Sequence, residues 1–236
     1  MKIKFYGNRG WITQTDEHSC FSIYTKRTKI LFDAGSPKIL IPENINLDAI
    51  ILSHVHLDHI KNLYNLLAYM NVNGRKKSLK IYAPINLKGK ISEEIIPNAD
   101  DFRKFSYEFI TIPPTKIGDF KFDFFISTQK TKPVVKVYSI KIKTESKSIT
   151  YITDVSLTNE LIEFCKESEI IICDASSRLE QKFGHFSPES VSKIALTTNP
   201  KKIILTHFDE LTPEEFSKKV NYKNTICATP LLELDI

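Results

Sequence analysis

The sequence predicts an α/β protein, of the α+β kind, built as two mixed β-sheets packed face to face with helices outside. Three observations lead to this. Apolar runs of strand length recur along the chain. Two halves each pass from consecutive strand patterns into alternating strand and helix. The length of 236 residues, with 42% hydrophobic and 11% aromatic content, suits one large double-sheet domain better than one all-α domain. Sheets that are apolar on both faces need cover on both faces, so stacking them under helices buries every run. Glycine is scarce, proline is scattered, and no linker, low-complexity stretch or solenoid repeat interrupts the chain. Residues 1–236 therefore read as a single domain.

The elements follow in order. Strands are expected at 3–6, 20–25, 29–32 and 49–52, where β-branched and aromatic residues cluster between polar segments. Ile60, Leu63, Tyr64, Leu67 and Met70 recur at helical spacing and predict a helix that ends in the turn around Gly74. A short strand at 81–83 and a second helix at 86–96 come next. Four β segments, 105–110, 120–126, 134–142 and 148–152, are joined by short turns. Leu161, Ile162 and Cys165 share one face of a helix over 158–167, and 170–173 is an apolar strand. Ser187-Pro188 reads as an N-cap with proline in the first turn of a helix. After a strand at 202–205, Thr212-Pro213-Glu214-Glu215 is a capping box. Strands at 225–228 and 231–234 close the pattern.

The formal net charge is +5. Basic residues group at Lys26-Arg27-Lys29, Arg75-Lys76-Lys77-Lys80 and Lys141-Lys143-Lys147. They read either as a solvated surface or as attraction for an anionic substrate such as a nucleotide or RNA, and fit a phosphate ester better than a neutral thioester. The 4 cysteines, Cys20, Cys165, Cys173 and Cys227, have no Cys-x-x-Cys spacing and read as buried, reduced thiols. No signal-peptide pattern and no run of about 18 apolar residues is present, so a cytoplasmic protein with no membrane partner is expected.

The densest chemistry lies in Ser53-His54-Val55-His56-Leu57-Asp58-His59, directly after the apolar run Ala49-Ile50-Ile51-Leu52. Imidazole and carboxylate together suit a borderline divalent ion such as zinc, with manganese as the alternative. In extended chain His54, His56 and Asp58 would face one side and His59 another. Chance histidines on a polar loop are the plain alternative. Further on, Asp154 ends one apolar strand, His207 follows another, and His185 precedes the Ser187 cap; strand ends and loop edges are where sites are commonly built.

These segments, taken in order, resemble the metallo-β-lactamase superfamily. Residues 54–59 match its His-x-His-x-Asp-His signature. Ile30-Leu31-Phe32-Asp33-Ala34-Gly35 is similar to its upstream strand and aspartate, Tyr151-Ile152-Thr153-Asp154 to its bridging-aspartate motif, and Leu205-Thr206-His207-Phe208 to its final histidine motif. The resemblance implies a four-layer αββα sandwich with metals at one edge of the sheets. It implies one zinc on His54 and His56, another on Asp58, His59 and His207, and Asp154 bridging them. Asp33 would orient the histidine loop rather than bind metal, or else simply cap a loop.

The family places one more histidine on the first zinc, in the loop before Asp154, and no histidine lies between His59 and His185 here. One stable ion with a weaker second, two bound ions, and an inactive site all remain open. Lys130, His18 or His185 could each stand near the vacant place.

Phe5-Tyr6-Gly7-Asn8-Arg9-Gly10 and Gly184-His185-Phe186-Ser187-Pro188 further resemble the ribonuclease Z and cyclic-nucleotide phosphodiesterase branch. That branch implies a hydrolase cleaving a phosphodiester by a zinc-activated water, on a cyclic nucleotide, a dinucleotide or a short RNA. Asp154, His185 and Asp58 are then the candidate catalytic residues, with His185 protonating the leaving oxygen. Relatives of this kind suggest a homodimer. The competing readings are a hydrolase of esters, thioesters or lactams, and a metal-binding nucleotide sensor without catalysis.

Overall fold

The structure, a computed structural model, describes residues 1–11, 13, 15–85, 105–129, 134–178 and 184–236. The expected helix at 86–96 and Lys130 lie outside the described residues.

Among the described residues, fourteen strands form two sheets. In the first, β14 (Glu233–Asp235), β1 (Lys2–Gly7), β2 (Cys20–Tyr24), β3 (Lys29–Phe32), β4 (Ala49–Ile51), β5 (Leu79–Tyr82) and β6 (Tyr107–Ile110) lie side by side in that order. The second runs β13 (Thr225–Cys227), β12 (Lys202–Phe208), β11 (Ile170–Ala175), β10 (Ser148–Ile152), β9 (Val135–Lys143), β8 (Phe120–Gln129) and β7 (Lys116–Ile117). Both sheets are mixed. Strands β3 to β6 pair in parallel, as do β10 to β13, and the remaining pairs are antiparallel.

The fully apolar strands are explained by two-sided burial. Ile30 and Phe32 of β3, Ile51 of β4, Tyr151 of β10, Ile172 of β11 and Ile204 of β12 point into the core between the sheets. Their neighbours Leu31 and Ile50 pack outward with Leu63, Leu66 and Met70 of a helix over Leu63–Val72. On the other side Ile152, Ile171, Ile203 and Leu205 pack with Leu161, Val191, Ile194 and Phe216. Those last four sit on helices Asn159–Cys165, Pro188–Thr198 and Pro213–Lys219. The layers are thus helix, sheet, sheet, helix.

Helix ends follow their local chemistry. Ser187 accepts from the Ser190 amide, proline opens the helix, and Asn199 closes it in the left-handed region at φ 48°. Thr212 and Glu215 form both halves of the expected capping box.

Three expectations change. The helix after the histidine segment is two pieces, a turn over Leu57–Ile60 (α1) and the helix Leu63–Val72 (α2). Strand β7 adds to the expected elements, since two residues are too few to show a period in sequence. The basic clusters are partly interior. Arg75 is 1% exposed, its guanidinium donating to the carbonyls of Leu47 (2.9 Å), Lys77 (2.8 Å), Ser78 (3.0 Å) and Ile45, with its carbon 5.4 Å from the Phe105 ring centroid. Lys141 is buried and donates to the Lys166 carbonyl at 2.9 Å. Neither a solvated surface nor an anion patch describes these two cations; they satisfy backbone carbonyls that strand pairing leaves over.

Candidate metal centre

Parallel pairing puts the carboxyl ends of β3 and β4 together, and likewise those of β10, β11 and β12. Polar groups that follow these strands therefore gather at one edge of the sandwich, as in other open parallel sheets. Asp33 follows β3, the segment 53–59 follows β4, Asp154 follows β10, Asp174 lies near the end of β11, and His207 lies near the end of β12.

The backbone is bent to aim them. Asp33, Asp154 and His207 have φ of 58°, 53° and 61°, in the left-handed region that side chains usually avoid. At His207 the β11–β12 register slips: Asp174 pairs with Thr206 and Ala175 with Phe208, leaving His207 as a bulge. The histidine segment does not stay extended as the sequence suggested. His56 caps the turn α1, which carries Asp58 and His59. Helical curvature, not strand alternation, brings those two inward.

The Nε2 atoms of His59 and His207 each lie close to an oxygen of Asp58 and an oxygen of Asp154. His59 Nε2 lies 3.1 Å from His207 Nε2, 3.4 Å from Asp58 Oδ2 and 3.2 Å from Asp154 Oδ2. His207 Nε2 lies 3.1 Å from Asp58 Oδ2 and 3.5 Å from Asp154 Oδ2. A tetrahedral ion with ligands at about 2.0–2.1 Å has ligand–ligand edges of about 3.3–3.4 Å. The donor types suit zinc, and the five spacings about His59 and His207 lie near those edges. A second group lies beside it: His54 Nε2 is 2.9 Å from His56 Nδ1 and 3.8 Å from Asp154 Oδ1. Asp154 thus presents one oxygen to each group. His54, His59 and Asp154 also form a ligating cluster.

Neighbouring hydrogen bonds select the lone pairs. His59 Nδ1 donates to Asp33 Oδ2 at 2.8 Å, leaving Nε2 to face the centre. His207 Nδ1 donates to Ser176 Oγ at 2.5 Å, and Ser176 Oγ donates to Asp174 Oδ1 at 2.5 Å. Asp33 also accepts from the Ser53 amide (2.7 Å), Ser53 Oγ (2.9 Å) and Tyr151 Oη (2.8 Å). The two sequence options for Asp33 are therefore one arrangement: it caps the loop and orients His59 together.

Charge explains why the site calls for a cation. Asp33, Asp58, Asp154 and Asp174 are all buried. Burial favours neutral Asp58, but the His59 charge and the His207 hydrogen bond hold its carboxyl well below the usual range. Burial acts the same way on Asp154 and is outweighed by His207, His54 and His185. Burial opposes charge on His207 too, yet Asp154, Asp58 and Asp174 lift it to about 10. His54, buried and beside His59, falls well below its usual value. Protons on histidine thus supply the positive charge that bound cations would otherwise provide.

His185 lies at the rim, part exposed. Nδ1 donates to Asp174 Oδ2 at 2.7 Å and Nε2 is 3.7 Å from Asp154 Oδ1. Burial opposes its charge, but Asp174 and Asp154 raise it to about 9. Asp174, absent from the sequence candidates, also accepts from the Ser176 amide at 2.7 Å and the Asp154 amide at 3.2 Å. The signal for it was present: like Asp154, it follows an apolar strand run, Ile170-Ile171-Ile172-Cys173. His18 is engaged elsewhere, with Nδ1 2.7 Å from the Gly10 carbonyl, and belongs to none of the ligating clusters among the described residues.

A model of the β-lactamase superfamily domain matches residues 28–208, most of the chain, including every residue of the ligating clusters. The chain belongs to the metallo-β-lactamase superfamily. Within that superfamily, ribonuclease Z of Archaeoglobus fulgidus is 24% identical over a 304-residue alignment covering 100% of this chain and 97% of the relative. The metallo-β-lactamase fold protein YhfI of Bacillus subtilis has a TM-score of 0.80 at 20% identity, covering 99% of this chain and 98% of that one. The short form of human tRNase Z has a TM-score of 0.78 at 17% identity, covering 100% and 99%. These two structures speak for the αββα metallo-β-lactamase fold.

Asp33 carries the first expected result. Asp33→Ala removes the acceptor of four hydrogen bonds that join both sheets to the histidine segment. Unfolding by denaturant should show a loss of about 3–5 kcal/mol, and metal titration an affinity lower by about 10–100-fold. Unchanged values on both counts would mean that Asp33 orients nothing.

Proposed function

We propose that the chain is a metal-dependent phosphodiesterase, acting on a cyclic nucleotide, a dinucleotide or a short RNA. The observation that carries this is that oxygens of Asp58 and Asp154 both lie close to His59 and His207 Nε2, with His54 near the other oxygen of Asp154 and His56 beside His54. Relatives spanning the chain and named ribonuclease Z support the phosphodiester as the bond cleaved. In this proposal Asp58, His59, His207 and Asp154 hold one zinc or manganese ion firmly. His54, His56 and Asp154 hold a second more weakly, since they are fewer. The hydrolase domain extends over residues 1–236.

Bound there, a divalent ion supplies Lewis acidity towards a phosphoryl oxygen and makes water acidic enough to react near neutral pH. The chain's own groups do the rest. Asp154 orients the attacking water and accepts its proton. His185, with Nδ1 held by Asp174, presents a protonated Nε2 to the site and delivers that proton to the leaving oxygen. Asp58, through its bond to His207, keeps the donor set in place.

The test compares bis-p-nitrophenyl phosphate with a chromogenic lactam, each with zinc, manganese or a chelator. Hydrolysis of the diester alone, lost with the chelator, is expected. Hydrolysis of the lactam alone would reverse the choice. Metal at 100 times its dissociation constant should also stabilise the fold by about 2.7 kcal/mol. Stabilisation without cleavage of either substrate would make the protein a metal-binding sensor.

A further inference from the structure

The chain has a single tryptophan, and it lies outside the core: Trp11 is 62% exposed. The backbone that leads into it is held by hydrogen bonds. The Gly10 amide donates to the Phe208 carbonyl at 3.1 Å, and the Phe208 amide donates to the Asn8 carbonyl at 2.8 Å. Residues 8–10 therefore run beside His207. The Gly10 carbonyl faces His18 Nδ1 at 2.7 Å, and the Ser19 amide donates to the Arg9 carbonyl at 2.7 Å. Lys61, two residues past His59, reaches Asp16 at 2.5 Å. The segment is thus held to both histidine-bearing parts of the centre.

Gly10 makes the approach possible. A Cβ there would meet Asp209 Oδ2 at 2.3 Å, so a larger residue would have to displace the Asp209 carboxylate beside His207. Trp11 is one Cα step further, roughly 3.8 Å on. Leu57, between His56 and Asp58, is also uncovered at 53% exposure. An uncovered indole thus follows the backbone bonded to Phe208, and an uncovered leucine lies within the histidine segment. A phosphate group has no use for either. A nucleobase does, because every base offers a π-face to an aromatic ring.

We infer that Trp11 is a stacking platform for the nucleobase next to the scissile phosphodiester, so that the substrate is a nucleotide derivative rather than any phosphate diester. This rests on the phosphodiesterase function proposed above.

Because Trp11 is the sole tryptophan, its emission reports on the subsite directly. Titrating the metal-loaded chain with AMP should quench it saturably. Ribose 5-phosphate, the same sugar phosphate without a base, should leave it unchanged. By calorimetry, Trp11→Ala should weaken AMP binding by about tenfold and leave ribose 5-phosphate binding as it was, while Trp11→Phe keeps most of the affinity. Absent quenching, equal quenching by both ligands, or unchanged AMP affinity in Trp11→Ala each overturns the platform. Hydrolysis of bis-p-nitrophenyl phosphate by the unaltered chain, run in parallel, separates the two ideas. Hydrolysis without AMP quenching overturns the platform alone. Quenching without hydrolysis overturns the enzyme and leaves a nucleotide-binding site.

Discussion

Asp154→Ala should release the metal and abolish diester hydrolysis together. Asp154 is buried at the end of β10 and turns its two oxygens to different partners. Oδ2 lies 3.2 Å from His59 Nε2 and 3.5 Å from His207 Nε2. Oδ1 lies 3.8 Å from His54 Nε2 and 3.7 Å from His185 Nε2. Removing it takes a ligand from both groups and a proton acceptor from the reaction. The rate on bis-p-nitrophenyl phosphate should therefore fall by more than the ~10²–10⁴ that an acid–base group alone contributes. Metal content after dialysis should fall with it. Asp154→Asn keeps the shape but not the charge and should retain metal better than alanine. A variant Asp154→Ala that keeps its metal and most of its rate would remove Asp154 from the centre.

His185→Ala should separate chemistry from metal binding. The imidazole sits at the rim, and Asp174 fixes its Nδ1, so its loss should leave metal content unchanged. The rate should fall by about 10²–10⁴, and the leaving group decides by how much. Nitrophenolate departs without help, so the defect on bis-p-nitrophenyl phosphate should be small. A ribose oxygen needs a proton, so the defect on a dinucleotide should be large. Asp174→Asn should show the same dependence on the leaving group, less strongly, because it acts by positioning His185. Equal loss of metal in His185→Ala and Asp58→Ala would instead make His185 a ligand, and an equal defect on both substrates would make it something other than an acid.

Much of the centre was legible in the sequence for a local reason. His54, His56, Asp58 and His59 lie within six positions of one another, and they follow a strand whose apolar residues announce it. Asp154 and His207 were legible because each also follows an apolar run. Asp174 escaped because its run ends in cysteine and the strand appeared to stop there, whereas β11 continues through Ala175. Its role depends on His185 and Ser176, which contact it only after β10, β11 and β12 are aligned. Arg75 escaped for a similar reason: its neighbours in sequence are lysines, and the carbonyls of Ile45 and Leu47 that it satisfies come from another loop.

By itself, the sequence determined the strand and helix types, the helix caps at Ser187 and Thr212, and the residue types offered to a metal. These depend on backbone preference and side-chain chemistry within a few residues of each position. Tertiary structure alone decided which oxygen of Asp154 faces which histidine, and that His207 is carried on a bulge. It alone decided that Asp33 links the sheets through Tyr151, 118 residues away. Such contacts depend on which strands become neighbours, and that follows from burying both faces of two sheets at once, a condition no local window of sequence contains.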